Sequence, residues 1–153
     1  MAELECAVNE SEFKRWVRSN WFGWIESYEP RRGTGVGIPD LQLFVAGRLV
    51  PCELKVGKID GDILYVNEIR PDQTGWHHRF NKAGGSSIFL IGVGDKHKPE
   101  RIFVYDAQNV RNWFNGLDLE NGCELQTTER KFHNGLFKFC SDLIFYKPMN
   151  LSD

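Results

Sequence analysis

Apolar positions change their period several times along the chain, and each change predicts an element. Phe13, Trp16 and Val17 recur at helical spacing, so residues 9–20 read as a helix, with Asn9 and Glu12 placed to form a capping box at its start. Residues 21–28 are aromatic and read as an extended segment. The period then falls to two. Leu41, Leu43 and Val45 alternate with Asp40, Gln42 and Phe44, predicting a strand whose two sets of side chains face opposite ways. A second strand follows from Leu49, with Glu53 and Lys55 on one face and Cys52, Leu54 and Val56 on the other.

Beyond a turn at residues 57–62, a short strand is expected at 63–66 and a helix over 70–84. Pro71 near its first position, Asp72 in its first turn, Lys82 in its last and Gly84 after its end are helix punctuation. Trp76, Phe80 and Ala83 form its predicted apolar stripe, and Gln73 lies one turn earlier. Strands are expected at 86–93 and 101–105, then a helix capped by Asp106 and reaching residue 115 with Val110, Trp113 and Phe114 inward. From Cys123 onward the residues read as strand material, and Asn134-Gly135 between apolar runs predicts a hairpin. The sum is one domain over residues 1–153: an α/β layered core at about 9–115 and a C-terminal β-hairpin extension at about 118–147.

Composition narrows the class. With 153 residues, 41 % of them apolar, the chain can bury a core, yet no apolar run is long enough to span a bilayer. The acidic start, Met-Ala-Glu-Leu-Glu, is unlike a secretory signal, so a soluble, cytoplasmic protein without membrane partners is expected. A net charge of -2 argues against a non-specific coat for nucleic acid. The four cysteines lack zinc-ligand spacing and read as reduced, mostly buried thiols. Gly33, Gly35 and Gly37 precede a strand instead of following one, and no Gly-Lys-Ser/Thr closes the run, which excludes both dinucleotide and P-loop readings. Arg31 and Arg32 beside them read either as phosphate contacts or as solvated loop residues.

The chemistry depends on the hairpin between the first two strong strands. A two-residue loop, Ala46-Gly47 or Gly47-Arg48, sets Asp40 opposite Glu53 or Lys55 on one side of the sheet. A three-residue loop would send Asp40 to the other face unless a bulge corrected it. Two carboxylates and an ammonium are what metal-assisted phosphodiester hydrolysis needs: the acids hold a hard cation, and the lysine orients water or stabilises charge on the phosphate.

At these residues the sequence resembles the PD-(D/E)XK nuclease superfamily, with Pro39-Asp40 as its PD and Glu53-Leu54-Lys55 as its (D/E)XK. Arg70, Gln73, Trp76, Phe80 and Gly84 follow in the order found in members of the virus-type replication-repair nuclease group, with phenylalanine in a leucine-like place. The resemblance covers about residues 9–115 and implies a restriction-endonuclease-like core (α-β-β-β-α-β order) and a Mg²⁺-dependent deoxyribonuclease, with Mn²⁺ as substitute. It implies Asp40 and Glu53 as metal ligands, Lys55 as catalytic lysine, and Gln73 near a metal-bound water or a phosphate. Holliday-junction resolvases and other members carry a glutamate on a helix before the sheet, a role open to Glu12 or Glu10. Arg70 and His77 are candidate nucleic-acid contacts. His77 and His78 diverge by about 100° on a helix and cannot grip one ion together. DNA is the expected partner. A homodimer, a phage origin and a non-cleaving nucleic-acid-binding role remain open alternatives.

Overall fold

The computed structural model describes residues 9–27, 37–66, 68–94, 97–110 and 116–146. In chain order its elements are α1 (Glu10–Asn20), β1 (Ile25–Ser27), β2 (Leu41–Val45), β3 (Arg48–Asp60), β4 (Ile63–Val66), α2 (Pro71–Lys82), β5 (Ile88–Val93), β6 (Arg101–Asp106), β7 (Leu117–Asp118), β8 (Cys123–Leu125) and α3 (Glu129–Tyr146). The strands form one open sheet in the order β1-β2-β3-β5-β6-β8, with β4 on β3 and β7 on β4. Only β3 and β5 run parallel among the described pairs, so the sheet is mixed. No described helix is long and apolar enough to cross a membrane.

Both strands of the predicted hairpin form. Val45 pairs with Arg48, which leaves Ala46-Gly47 as a two-residue loop with φ of 50° and 78°. Two successive positive φ angles are the geometry that matches the twist of the flanking strands. At the start of α1, Asn9 Oδ1 accepts from Glu12 N–H at 2.8 Å, the backbone half of the predicted capping box. Phe13 and Val17 are buried below it.

The two sheet faces bury different things. Leu41, Leu43, Val50, Cys52 and Leu54 point to one face and pack with Phe13 and Val17 of α1 and Phe132, Leu136 and Cys140 of α3. The opposite face carries a smaller cluster with Leu64, Phe89, Ile91 and Tyr105, beneath α2. Cys52 and Cys140 are buried thiols, and burial pushes the Cys140 thiol up to about 12. Cys123 is exposed, and Cys6 lies outside the described residues.

Three expectations need correction. The C-terminal β-hairpin does not form: residues 129–146 are the helix α3, which passes straight through Asn134-Gly135. Phe132, Leu136 and Cys140 fall four apart on one helix face, and their burial outweighs the local turn preference. Gly135 lets that helix approach β8, since a Cβ there would stand 3.3 Å from Leu125. Second, the helix expected after Asp106 is a single 3-10 turn, Ala107–Asn109, capped by the Asp106 side chain; residues 111–115 lie outside the described residues. Third, the buried stripe of α2 is not Trp76, Phe80 and Ala83. It is Gln73, Thr74, His77 and Asn81, all polar.

Candidate active site

The register Leu41↔Cys52 extends to Asp40 opposite Glu53. On that side of β3, β2 pairs only as far as Cys52, and β4 takes over only from Gly57. The backbone between is left without a strand partner there, and Asp40 fills part of the gap: its Oδ2 accepts from Leu54 N–H at 3.0 Å. The same alternation turns the nitrogen of Pro51 toward β5, whose pairing starts only at Cys52, so its missing N–H costs no ladder bond. A break in the sheet therefore places the carboxylates, and Gly37 supports it. Its φ of 85° and its closeness to Asp72, whose carbonyl oxygen would be 2.2 Å from an added Cβ, seat the chain before Asp40 on the first turn of α2.

Glu53 is 1 % exposed and Lys55 8 %, both on the α2 face. Burial, then the charge of Asp40 and a hydrogen bond with it, hold the Glu53 carboxyl well above its ordinary range, against the pull of Lys55. Two acids driven together in a dry site retain a proton between them unless a cation replaces it. Among the described residues Lys55 forms no ion pair.

Behind Glu53 stands the polar stripe of α2. Gln73 Oε1 accepts from Arg70 N–H at 3.0 Å, which fixes the amide so that Nε2 donates to Glu53 Oε1 at 3.2 Å. Both ends of Gln73 are thus engaged within the protein, and it positions Glu53. His77 is fully buried and meets Glu53 Oε2 through Nε2 at 3.3 Å and Ser87 Oγ through Nδ1 at 2.7 Å. Asn81 Nδ2 donates to His77 O at 2.8 Å and to Ser87 Oγ at 2.9 Å, which ties Asn81, Ser87 and His77 into one network. Burial lowers the His77 pKa to about 3, so its contact with Glu53 is a hydrogen bond with a neutral ring and not an ion pair.

His77 is therefore no nucleic-acid contact, because nothing outside the protein reaches it. His78 points elsewhere, with Nε2 2.7 Å from Val110 O. Glu12 does not join the acids either: its carboxylate pairs with Arg15 at 3.3 Å. The helix glutamate that the structure brings to the site is Glu10. Desolvation raises its pKa against the attraction of Lys55, and Asp40 and Arg70 act on it as well. Two residues along a helix turn a side chain by about 200°, which separates the two glutamates. Arg70 stays exposed at the mouth, 3.3 Å from Asp72. Arg31 and Arg32 lie outside the described residues.

The sequence signal for the hidden residues was Gln73-x3-His77-x3-Asn81, three polar side chains four apart and so on one helix face. Among the described residues no three of His, Cys, Asp and Glu gather closely enough to hold an ion alone. Compared with known proteins, the chain matches no protein-family model and no curated protein.

Proposed function

We propose that this protein is a Mg²⁺-dependent deoxyribonuclease with a restriction-endonuclease-like core. The observation that carries the reading is the meeting of Asp40, one residue beyond the last β2-β3 pair, with Glu53, to which it is hydrogen-bonded, with Lys55 two residues along the same strand and face. The donor set fits a hard cation. Two carboxyls crowd one another at a break in the sheet, the buried one holds its proton unusually tightly, and Glu10 adds a third carboxylate at the rim. Two protein carboxylates are a sufficient share for Mg²⁺, which otherwise keeps water and substrate oxygens.

Asp40 and Glu53 would hold the cation, with Gln73 and His77 fixing both oxygens of Glu53. A cation held there would supply polarisation of the phosphoryl group and a more acidic water. The Lys55 ammonium stabilises charge that develops on the phosphate oxygens. Arg70, exposed beside the acids, is suited to a neighbouring phosphate of the same strand.

The test is cleavage of linear, branched and single-stranded DNA with Mg²⁺ or Mn²⁺. The native protein is expected to cut at least one substrate, and Asp40→Ala or Lys55→Ala to lose at least a thousandfold in rate without unfolding. Cleavage that survives both substitutions would falsify the assignment. The same panel separates this reading from a second one, a nucleic-acid-binding protein that does not cut. Inertness toward every substrate, with DNA binding retained, would establish it.

A further inference from the structure

The α2 face of the sheet has a second feature that hydrolysis does not use. Four residues before Glu53, about 13 Å along β3 at ~3.3 Å per residue, Leu49 stands on the same face and pairs with Phe44 of β2. Both are 48 % exposed. Next to them Trp24, 49 % exposed, is tied to Phe44 by a backbone bond of 3.2 Å from Phe44 N–H to Trp24 O. Beside this patch Arg48, Leu49, Phe80, Ser86 and Ile144 line a cleft of about 620 Å³, in which Phe80 is the one ring. Phe80 stacks on Trp76 at 5.1 Å and 14°.

We propose that the exposed patch of Trp24, Phe44 and Leu49, with the cleft beside it, binds the unpaired bases of a nucleic-acid strand whose backbone passes Asp40 and Glu53. The inference rests on the nuclease reading for its direction and on the cleft itself for its chemistry. Exposed rings gain by stacking only where a base face is free, which a single strand offers and a paired duplex hides. Arg48, which lines the cleft, offers a cation to the phosphate that links neighbouring bases. Continuity with the acids on one sheet face argues for the substrate strand as occupant over a second copy of the chain.

The experiment is fluorescence anisotropy of the full chain in EDTA, where nothing is cut. The probes are a fluorescein-labelled oligo-dT of about 12 nucleotides, within the usual span of such sites, oligo-rU of equal length, and a blunt duplex. A single strand is expected to bind at least tenfold tighter than duplex, and comparing oligo-dT with oligo-rU tells which of the two polymers is preferred. Phe44→Ala should weaken that binding about five- to hundredfold, the loss of one stacked base. Phe80→Leu keeps the packing over Gly85 while removing the ring face and should act in the same direction. Asp40→Ala should retain strand binding in EDTA, and a native protein that binds the strand yet cuts no DNA with Mg²⁺ or Mn²⁺ defeats the nuclease reading alone. Equal affinity for strand and duplex, no effect of either aromatic variant, or a dimer in light scattering that Phe44→Ala dissociates would overturn the cleft assignment.

Discussion

The two faces of one sheet have been built to opposite rules. Against α1 and α3 the buried side chains are almost all hydrocarbon, and the helices are anchored by Phe13, Val17, Phe132 and Leu136. Against α2 the interior near the acids is a hydrogen-bonded chain, Asn81 to Ser87 to His77 to Glu53, joined by Gln73. The first face supplies stability through area removed from water. The second spends some of it to hold one carboxylate in a fixed orientation, because a buried polar network is tolerable only when each member is satisfied.

The largest expected effect belongs to the apolar face. Phe132→Ala should cost about 3–5 kcal/mol of unfolding free energy in denaturant melts, by removing a fully buried ring. The folded fraction should keep its Mn²⁺ affinity. On the polar face, His77→Ala should cost about 1–3 kcal/mol, since Ser87 and Glu53 lose a buried partner. It should also weaken Mn²⁺ binding roughly 10–100-fold, as loss of a group orienting a metal ligand does, with partial rescue by His77→Gln. If both variants moved stability alone, the division of labour between the faces would collapse.

Acidity sharpens the comparison, because two groups on the polar face titrate in opposite senses. His77 is held neutral, with its pKa lowered to about 3. Its contribution is full above the ordinary value near 6.5 and is lost as pH falls from there toward 3. Glu53 is raised, so its contribution is full below the ordinary carboxyl value near 4.3 and is lost as pH rises through the elevated value. Melting temperatures in EDTA should decline on both limbs. Glu53→Gln should flatten the alkaline one, and Mg²⁺ should stabilise the native protein more at pH 8.5 than at pH 5.5. A Glu53→Gln profile that still declined on the alkaline side would refute this account. The smallest effect lies far from either helix layer. Arg101 grips Glu124 through two bonds of 2.9 and 2.7 Å, both side chains nearly half exposed, and Arg101→Ala should cost only about 0.2–1 kcal/mol.

Legibility in the sequence followed the same division. Strict alternation made β2 and β3 readable, and with them the side of the sheet that Asp40 and Glu53 share. The stripe of Phe13 and Val17 made α1 readable. The inward face of α2 was not, because a search for apolar periodicity selects Trp76 and Phe80, which flank the helix, over Gln73, His77 and Asn81, which it buries. Asn134-Gly135 misled because turn preference is local, whereas the packing of Phe132, Leu136 and Cys140 is a property of the whole fold. Glu10 and Glu12 differ only by rotation about a helix axis, which no single sequence fixes against the sheet below.

The length of β3 has a dynamic consequence. This strand of 13 residues is pinned by β2 up to Cys52 and by β4 from Gly57, while β5 pairs the stretch between that carries Glu53 and Lys55, so that stretch moves only if both flanking pairings give way. Amide hydrogens bonded to β5 are expected to exchange with solvent through an opening that also parts the flanking strands, in a slow cooperative unit of the molecule. The carboxylate and the ammonium therefore stand ready before any ligand arrives, and binding need not supply the entropy of ordering them.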